Sequence, residues 1–209
     1  MAGFDVLIIG GGVAGMQCAL ILGSAKEKPF ASGKKIGIIL HQKASDLQNA
    51  VLNNTLGLKP GTLGRNILLE GKEHLSTIYP DVSQINNEKV ISISPFQNGY
   101  EITTNKFVYF SRIVVLALNY SKPLTIKGIE KYIIPHKKAS AKKDRIQLEN
   151  VDLLVDKGLY VCGTIAGLRS QFAIAAGSGA TVATDILTLW NGGDHTKIHD
   201  KLQIKNPAN

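Results

Sequence analysis

The stretch Phe4-Asp5-Val6-Leu7-Ile8-Ile9-Gly10-Gly11-Gly12-Val13-Ala14-Gly15 decides the fold. Phe4 to Ile9 is an apolar run of strand length, three glycines turn the chain, and Val13 to Gly23 is rich in Ala, Leu, Met and Gln, which favour helix. Gly23 and Ser24 close that helix. After a basic, Pro-containing loop from Lys26 to Lys35, Ile36 to Leu40 reads as a second buried strand, which completes a βαβ unit of the expected size.

The glycines match G-x-G-x-x-G directly after a strand and at the mouth of a helix, the context that gives the pattern weight. Gly10 permits the tight turn, Gly12 lets a pyrophosphate approach the backbone, and Gly15 lets the helix lie close on the strand. The free N–H groups of the helix start, around Val13 and Ala14, favour a phosphate pair. The bland alternative is a glycine-rich turn with no ligand. At the end of the second strand the acid that usually grips an adenosine ribose is missing; Leu40, His41 and Gln42 stand there. His41 or Gln42 can bond a 2′-hydroxyl, less strongly than a carboxylate, and His41 reads equally well as a partly exposed strand-end residue. His74 and His136 read as surface or satisfied core histidines rather than catalytic ones.

Further along, Leu63, Ile67, Leu68, Leu75 and Ile78 fit an amphipathic helix over Thr62 to Tyr79, stopped by Pro80. Val90 to Ser94, Tyr100 to Thr104 and Phe107 to Phe110 read as strands, with Asn98-Gly99 as a hairpin turn. Arg112 to Leu118 is apolar on both faces, as a strand inside a parallel sheet is. An antiparallel meander thus returns into the central sheet. Asn119 to Asn150 is polar, basic and weakly periodic, and reads as a connector with one short helix. Gly158 to Cys162 reads as a strand, Ser170 to Leu189 as a long helix ended by Asn191-Gly192-Gly193, and Asp194 to Asn209 as a polar, loosely held tail.

The whole chain of 209 residues, 44% apolar and 19% charged, suits one globular domain. Its pure apolar runs fall far short of the ~20 residues that cross a bilayer, and its start does not read as a secretory signal, so a cytoplasmic chain without a membrane span is expected. Cys18 and Cys162 form neither a CxxC pair nor a metal cluster; no metal site is expected. The net charge is +8, of which +6 lies between Lys122 and Arg145, where eight cations face only Glu130 and Asp144. Such a run reads first as solvated surface; docking of an acidic partner, or attraction of an anionic cofactor, is the alternative. Nothing accompanies the lysines that would read nucleic acid.

The second half of the chain carries a resemblance. Gly158-Leu159-Tyr160-Val161-Cys162-Gly163-Thr164, then Gln171-Phe172-Ala173 and Ala176-Gly177-Ser178-Gly179-Ala180, resembles the C-terminal FAD signature of the thioredoxin-reductase-like, FAD-dependent pyridine nucleotide-disulfide oxidoreductases. Leu56-Gly57 through Tyr79-Pro80-Asp81-Val82 looks like the gliotoxin-type and related bacterial reductases. The resemblance covers most of residues 4–119 and 151–190. It implies an α/β fold of Rossmann-like, FAD-binding, three-layer type with a central parallel sheet and an antiparallel β-meander. It also implies one discontinuous FAD domain over 1–190 (1–119 plus 151–190), with 120–150 as basic connector and 191–209 as tail.

The family's site residues map onto Gly10, Gly12, Val13, Ala14 and Gly15 for the pyrophosphate and onto His41 or Gln42 for the ribose. Asn54 would touch the flavin, and Gly163-Thr164 the ribityl chain. Gln171 and Phe172 would present backbone to the flavin ring; Val90 and Ala117-Leu118-Asn119 complete the set. The departures are equally specific: Thr164 stands where the family has Asp, and Leu118-Asn119 where it has Thr-Gly. The family's NADPH domain and redox CxxC would fall between Asn119 and Val151, an interval too short for another nucleotide-binding domain and without cysteine. The function implied is a flavoprotein oxidoreductase fed by an external electron donor or acceptor, with no side chain nominated as acid, base or nucleophile. The alternatives are a non-catalytic flavin- or nucleotide-binding subunit and a nicotinamide-binding protein. A bare flavin face would favour a homodimer.

Overall fold

The computed structural model describes residues 2–41 and 45–198. Strand β1 (Ala2–Ile9), helix α1 (Val13–Ser24) and strand β2 (Ile36–Leu40) form the βαβ unit that the glycine turn predicts. β1 and β2 run parallel, Val6 beside Ile36 and Ile9 beside Ile39. A short antiparallel pair, β3 (Val51–Leu52) and β4 (Thr62–Leu63), precedes helix α2 (Gly64–Ile78). Thr62 and Leu63 are therefore strand rather than first helical turn. α2 buries Leu68 and Leu75, while Ile78, placed by sequence on the same face, is 56% exposed. β5 (Ser83–Asn86), which no apolar pattern announces, extends the parallel sheet beyond β2.

β6 (Val90–Phe96), β7 (Gly99–Thr104) and β8 (Val108–Leu116) make the meander. Sequence separates 107–110 from 112–118; the chain joins them into one strand that changes partners along its length. Val108 to Ser111 pairs antiparallel with β7, and Val114 to Leu116 runs parallel to β12 (Leu159–Val161). β1 lies along the other edge of β8 throughout. With β11 (Leu154–Asp156) antiparallel to β12, the sheet order is β11-β12-β8-β1-β2-β5.

Alternation along β1 sends side chains to both faces. Val6 and Ile8 join α1 and the last helix, α3 (Phe172–Trp190), in one core; Leu7 and Ile9 join the meander in the other. The result is the expected three layers: helices, parallel sheet, meander. α1 and α3 touch backbone to backbone, because a Cβ on Gly179 would stand 2.0 Å from the Ala14 carbonyl oxygen. By length and apolar content α3 is long enough to cross a bilayer, which the short apolar runs did not suggest. Its Val182, Ala183, Ile186 and Leu187 are wholly buried in the helix-side core.

Two expectations are corrected. The 120–150 stretch, expected as a connector with one short helix, forms a hairpin of β9 (Ile133–Pro135) and β10 (Ile146–Leu148) with two short 3₁₀ turns. Its Ile126, Ile129, Ile146 and Leu148 are buried in the meander-side core. The tail is held as far as it is described. Thr196 is buried, with its hydroxyl donating to the Asp194 carbonyl, and Ile198 packs on the helix-side core; residues 199–209 lie outside the described residues.

Candidate functional site

The carboxyl ends of β1, β8 and β12 open into a cavity of about 480 Å³, the place where open parallel sheets present ligands. Gly10, Gly12, Val13 and Ala14 line it from the β1–α1 turn, Ala117, Leu118 and Asn119 from the end of β8, and Gly163, Thr164, Gln171 and Phe172 from the passage between β12 and α3. His41 reaches it from the end of β2.

The glycines of the turn divide their work. Gly10, at φ +114°, has no room for a side chain, since a Cβ would stand 2.3 Å from the Ala117 carbonyl oxygen. A Cβ on Gly15 would stand 1.9 Å from the Gly10 carbonyl oxygen, so Gly15 lies behind the cavity and closes the helix onto the strand. Gly12 is different: nothing lies within 4 Å of where its Cβ would be. Its bare face is open cavity.

Backbone donors surround that space. The first hydrogen bond of α1 runs from the Met16 N–H to the Gly12 carbonyl, so Val13, Ala14 and Gly15 have N–H groups without an intrahelical acceptor. The α3 ladder begins with the Ala175 N–H to the Gln171 carbonyl, and no side chain caps that end either. Ser178, which lies in the stretch that carries the resemblance but has no role assigned there, fixes the strand to the helix: the Gly163 N–H donates to its Oγ at 2.8 Å, and the Oγ donates to the Ala175 carbonyl at 2.7 Å.

No Asp, Glu, Lys or Arg lines this cavity among the described residues. Cys162 does, and burial pushes its thiol up to about 12; burial and then the neighbouring Cys162 push Cys18 well up too. Both sulfurs are therefore protonated at neutral pH and poor nucleophiles.

A second cavity, about 220 Å³, adjoins the first and shares Gly10, His41, Leu118 and Asn119 with it. Val90 lines it, as do Glu88 and the segment Pro123 to Ile126, which the sequence left in the connector. Glu88 is buried and accepts hydrogen bonds from Thr104 Oγ1 at 2.7 Å and from the Tyr109 hydroxyl at 2.9 Å. Burial, then the Glu88 contact, pushes Tyr109 up to about 12. Asn119, common to both cavities, accepts on its Oδ1 from the Ser121 N–H and hydroxyl, each at 2.9 Å, and Arg145 donates to the Ser121 Oγ.

Of the residues singled out by sequence, these cavities gather all but three. Gly15 stands behind the wall. Asn54 is exposed in the turn after β3, and Leu52 and Ala50 reach the cavity from that segment instead. Gln42 lies outside the described residues.

No family model matches the chain, and no curated protein matches it. Solved structures do match in fold. A ferredoxin-flavin thioredoxin reductase from Clostridium acetobutylicum superposes with a TM-score of 0.66 at 18% identity, over 92% of this chain and 99% of that one. A thioredoxin reductase from Gloeobacter violaceus gives 0.66 at 14%, over 96% and 99%, and one from T. acidophilum 0.62 at 16%, over 92% and 99%. At such identities the likeness is one of fold, a Rossmann-like α/β fold.

Proposed function

We propose that the chain binds FAD across the two adjoining cavities and works as a flavin-dependent oxidoreductase whose electrons come from a separate donor. The observation that carries this reading is the bipartite site itself, two cavities joined at Gly10, His41, Leu118 and Asn119 with an open-faced Gly12 in the larger one. The residues fit the group. The bare Gly12 and the unbonded N–H groups of Val13 and Ala14 would hold the pyrophosphate. His41 would meet the ribose, Val90 and the 123–126 segment would enclose the base, and Thr164 would bond the ribityl side in place of a carboxylate. Gln171 and Phe172 would bring the start of α3 to the flavin ring, where the helix dipole favours developing negative charge.

When bound, FAD supplies reversible two-electron chemistry; the protein binds, orients and shields it from water. Both thiols are free and buried, and the 120–150 segment that would have to hold a nucleotide domain folds as a hairpin, which supports an external donor. The purified protein should show flavin absorbance or take up FAD on titration, and NADPH alone should leave that flavin oxidised. A colourless protein that does not bind FAD would overturn the reading. The absence of any Asp, Glu, Lys or Arg from the larger cavity among the described residues favours one rival, a flavin-holding subunit without turnover. Steady turnover with a chemical or protein donor would remove it.

A further inference from the structure

The surplus positive charge is concentrated at one end of the 120–150 hairpin. Lys137, Lys138, Lys142 and Lys143 stand on residues 136–145, which join β9 to β10, and all four are exposed. Among the described residues none of their ammonium groups has a carboxylate partner, and the loop's one acid, Asp144, is held by Lys122 at 2.7 Å. Acids gather at the opposite end: Glu149 follows β10, and Asp156 accepts from Tyr132, which precedes β9.

The loop is also fixed, and fixed to the cavity. The His136 N–H bonds the Arg145 carbonyl at 2.9 Å across its base, and Ile146 and Leu148 are buried beneath it. Arg145 stacks on Tyr120 and donates to Ser121, which holds the cavity-lining Asn119. On the other strand the Lys137 N–H donates to Gln147 Oε1 at 2.9 Å, and the Gln147 side chain lies against Gly167, just past the cavity's Thr164 turn. Unpaired cations thus stand on a loop whose base is tied to the site.

We propose that loop 136–145 is the docking surface for an acidic protein, an electron carrier that exchanges electrons with the flavin. This rests on the FAD reading above. Two one-electron carriers, with two protons from water, balance one flavin reduced to its dihydro form. The chemistry of the loop favours a protein over nucleic acid or membrane. It holds no Phe, Tyr or Trp on which bases would stack and no large apolar side chain to enter a bilayer. Charge of this kind acts chiefly by steering association.

The test uses the full chain and an acidic bacterial ferredoxin as probe, with binding followed at 20 and 200 mM salt. Wild type should bind, at least tenfold more weakly at the higher salt. Changing Lys137→Gln, Lys138→Gln, Lys142→Gln and Lys143→Gln together should weaken binding at least tenfold. The same loss of charge through Lys28→Gln, Lys35→Gln, Lys59→Gln and Lys106→Gln should change it less than threefold. Equal effects of the two variants, no ferredoxin binding at 20 mM salt, or tighter binding of a 20-base-pair DNA duplex would overturn the proposal. FAD titration of the same samples separates the two claims: intact FAD uptake without ferredoxin binding removes the docking surface alone, and loss of FAD uptake in the wild type removes the reading on which it rests.

Discussion

The two sides of the site are built from different materials. On the helix side, around Gly10, Gly12, Gly15, Gly163 and Gly179, the wall is backbone: carbonyls meet missing side chains and unbonded N–H groups face the cavity. On the meander side the wall and the layer behind it are side-chain chemistry: Glu88, Ser121 and Asn119 line the cavities, backed by Thr104, Tyr109 and Arg145, and Tyr100 bonds the Lys157 carbonyl deeper in that layer. A backbone wall has no group to titrate and fails sterically; a side-chain wall tolerates small volume changes and fails when a proton moves.

The largest effect expected lies on the helix side. Gly15→Ala puts a methyl 1.9 Å from the Gly10 carbonyl oxygen, with backbone that cannot swing away. The cost should reach about 3 kcal/mol or more, read as a fall in the denaturant midpoint or failure to fold. Gly12→Ala is the sharper case, because its Cβ enters empty space at an ordinary φ of −75°. Stability should change by less than about 1 kcal/mol, while FAD affinity drops at least tenfold, since the methyl stands where a pyrophosphate approaches. Equal FAD affinity in this variant would mean that the open face of Gly12 is not the phosphate site.

Ser178→Ala should come next. It leaves the buried Gly163 N–H without its acceptor, worth about 1–2 kcal/mol, a fall in Tm of about 2–8 °C for a chain of this size. It tests whether the one side chain in the backbone wall matters as much as the glycines around it.

The same contrast explains what could be read from sequence. The helix side was legible because its constraints are local. A glycine turn between an apolar strand and a helix leaves few alternatives, and β2 lies on the residues expected, Ile36 to Leu40. The meander side was harder. Ser111 fell between two expected strands, yet it marks where β8 passes from the meander to the parallel sheet, and it is wholly buried with its hydroxyl on the Ile113 carbonyl. In the 120–150 segment the buried Ile126, Ile129, Ile146 and Leu148 are spread among lysines, and strands of three residues show no period to recognise. Glu88 stood in no motif and Ser178 stood in one without a role; only the partners that folding brings to them make them part of the site.

The smallest effect expected belongs to the meander side, and it is set by pH. Burial, followed by the Glu88 contact, keeps Tyr109 protonated up to about 12, against an ordinary value of 10.0; burial, followed by Asp156, does the same for Tyr100. Between these values the unfolded chain has released protons that the folded chain still holds. Rising pH therefore favours unfolding: the contribution is complete below pH 10 and is lost as pH climbs toward 12. Chemical denaturation from pH 8 to 12 should show stability falling above pH 10. The double variant Tyr100→Phe and Tyr109→Phe, less stable at pH 8, should show a shallower fall, because its rings no longer titrate. The glycines cannot contribute to that slope, so a double variant with the wild-type slope would move the pH sensitivity away from this wall and undo the division between the two sides.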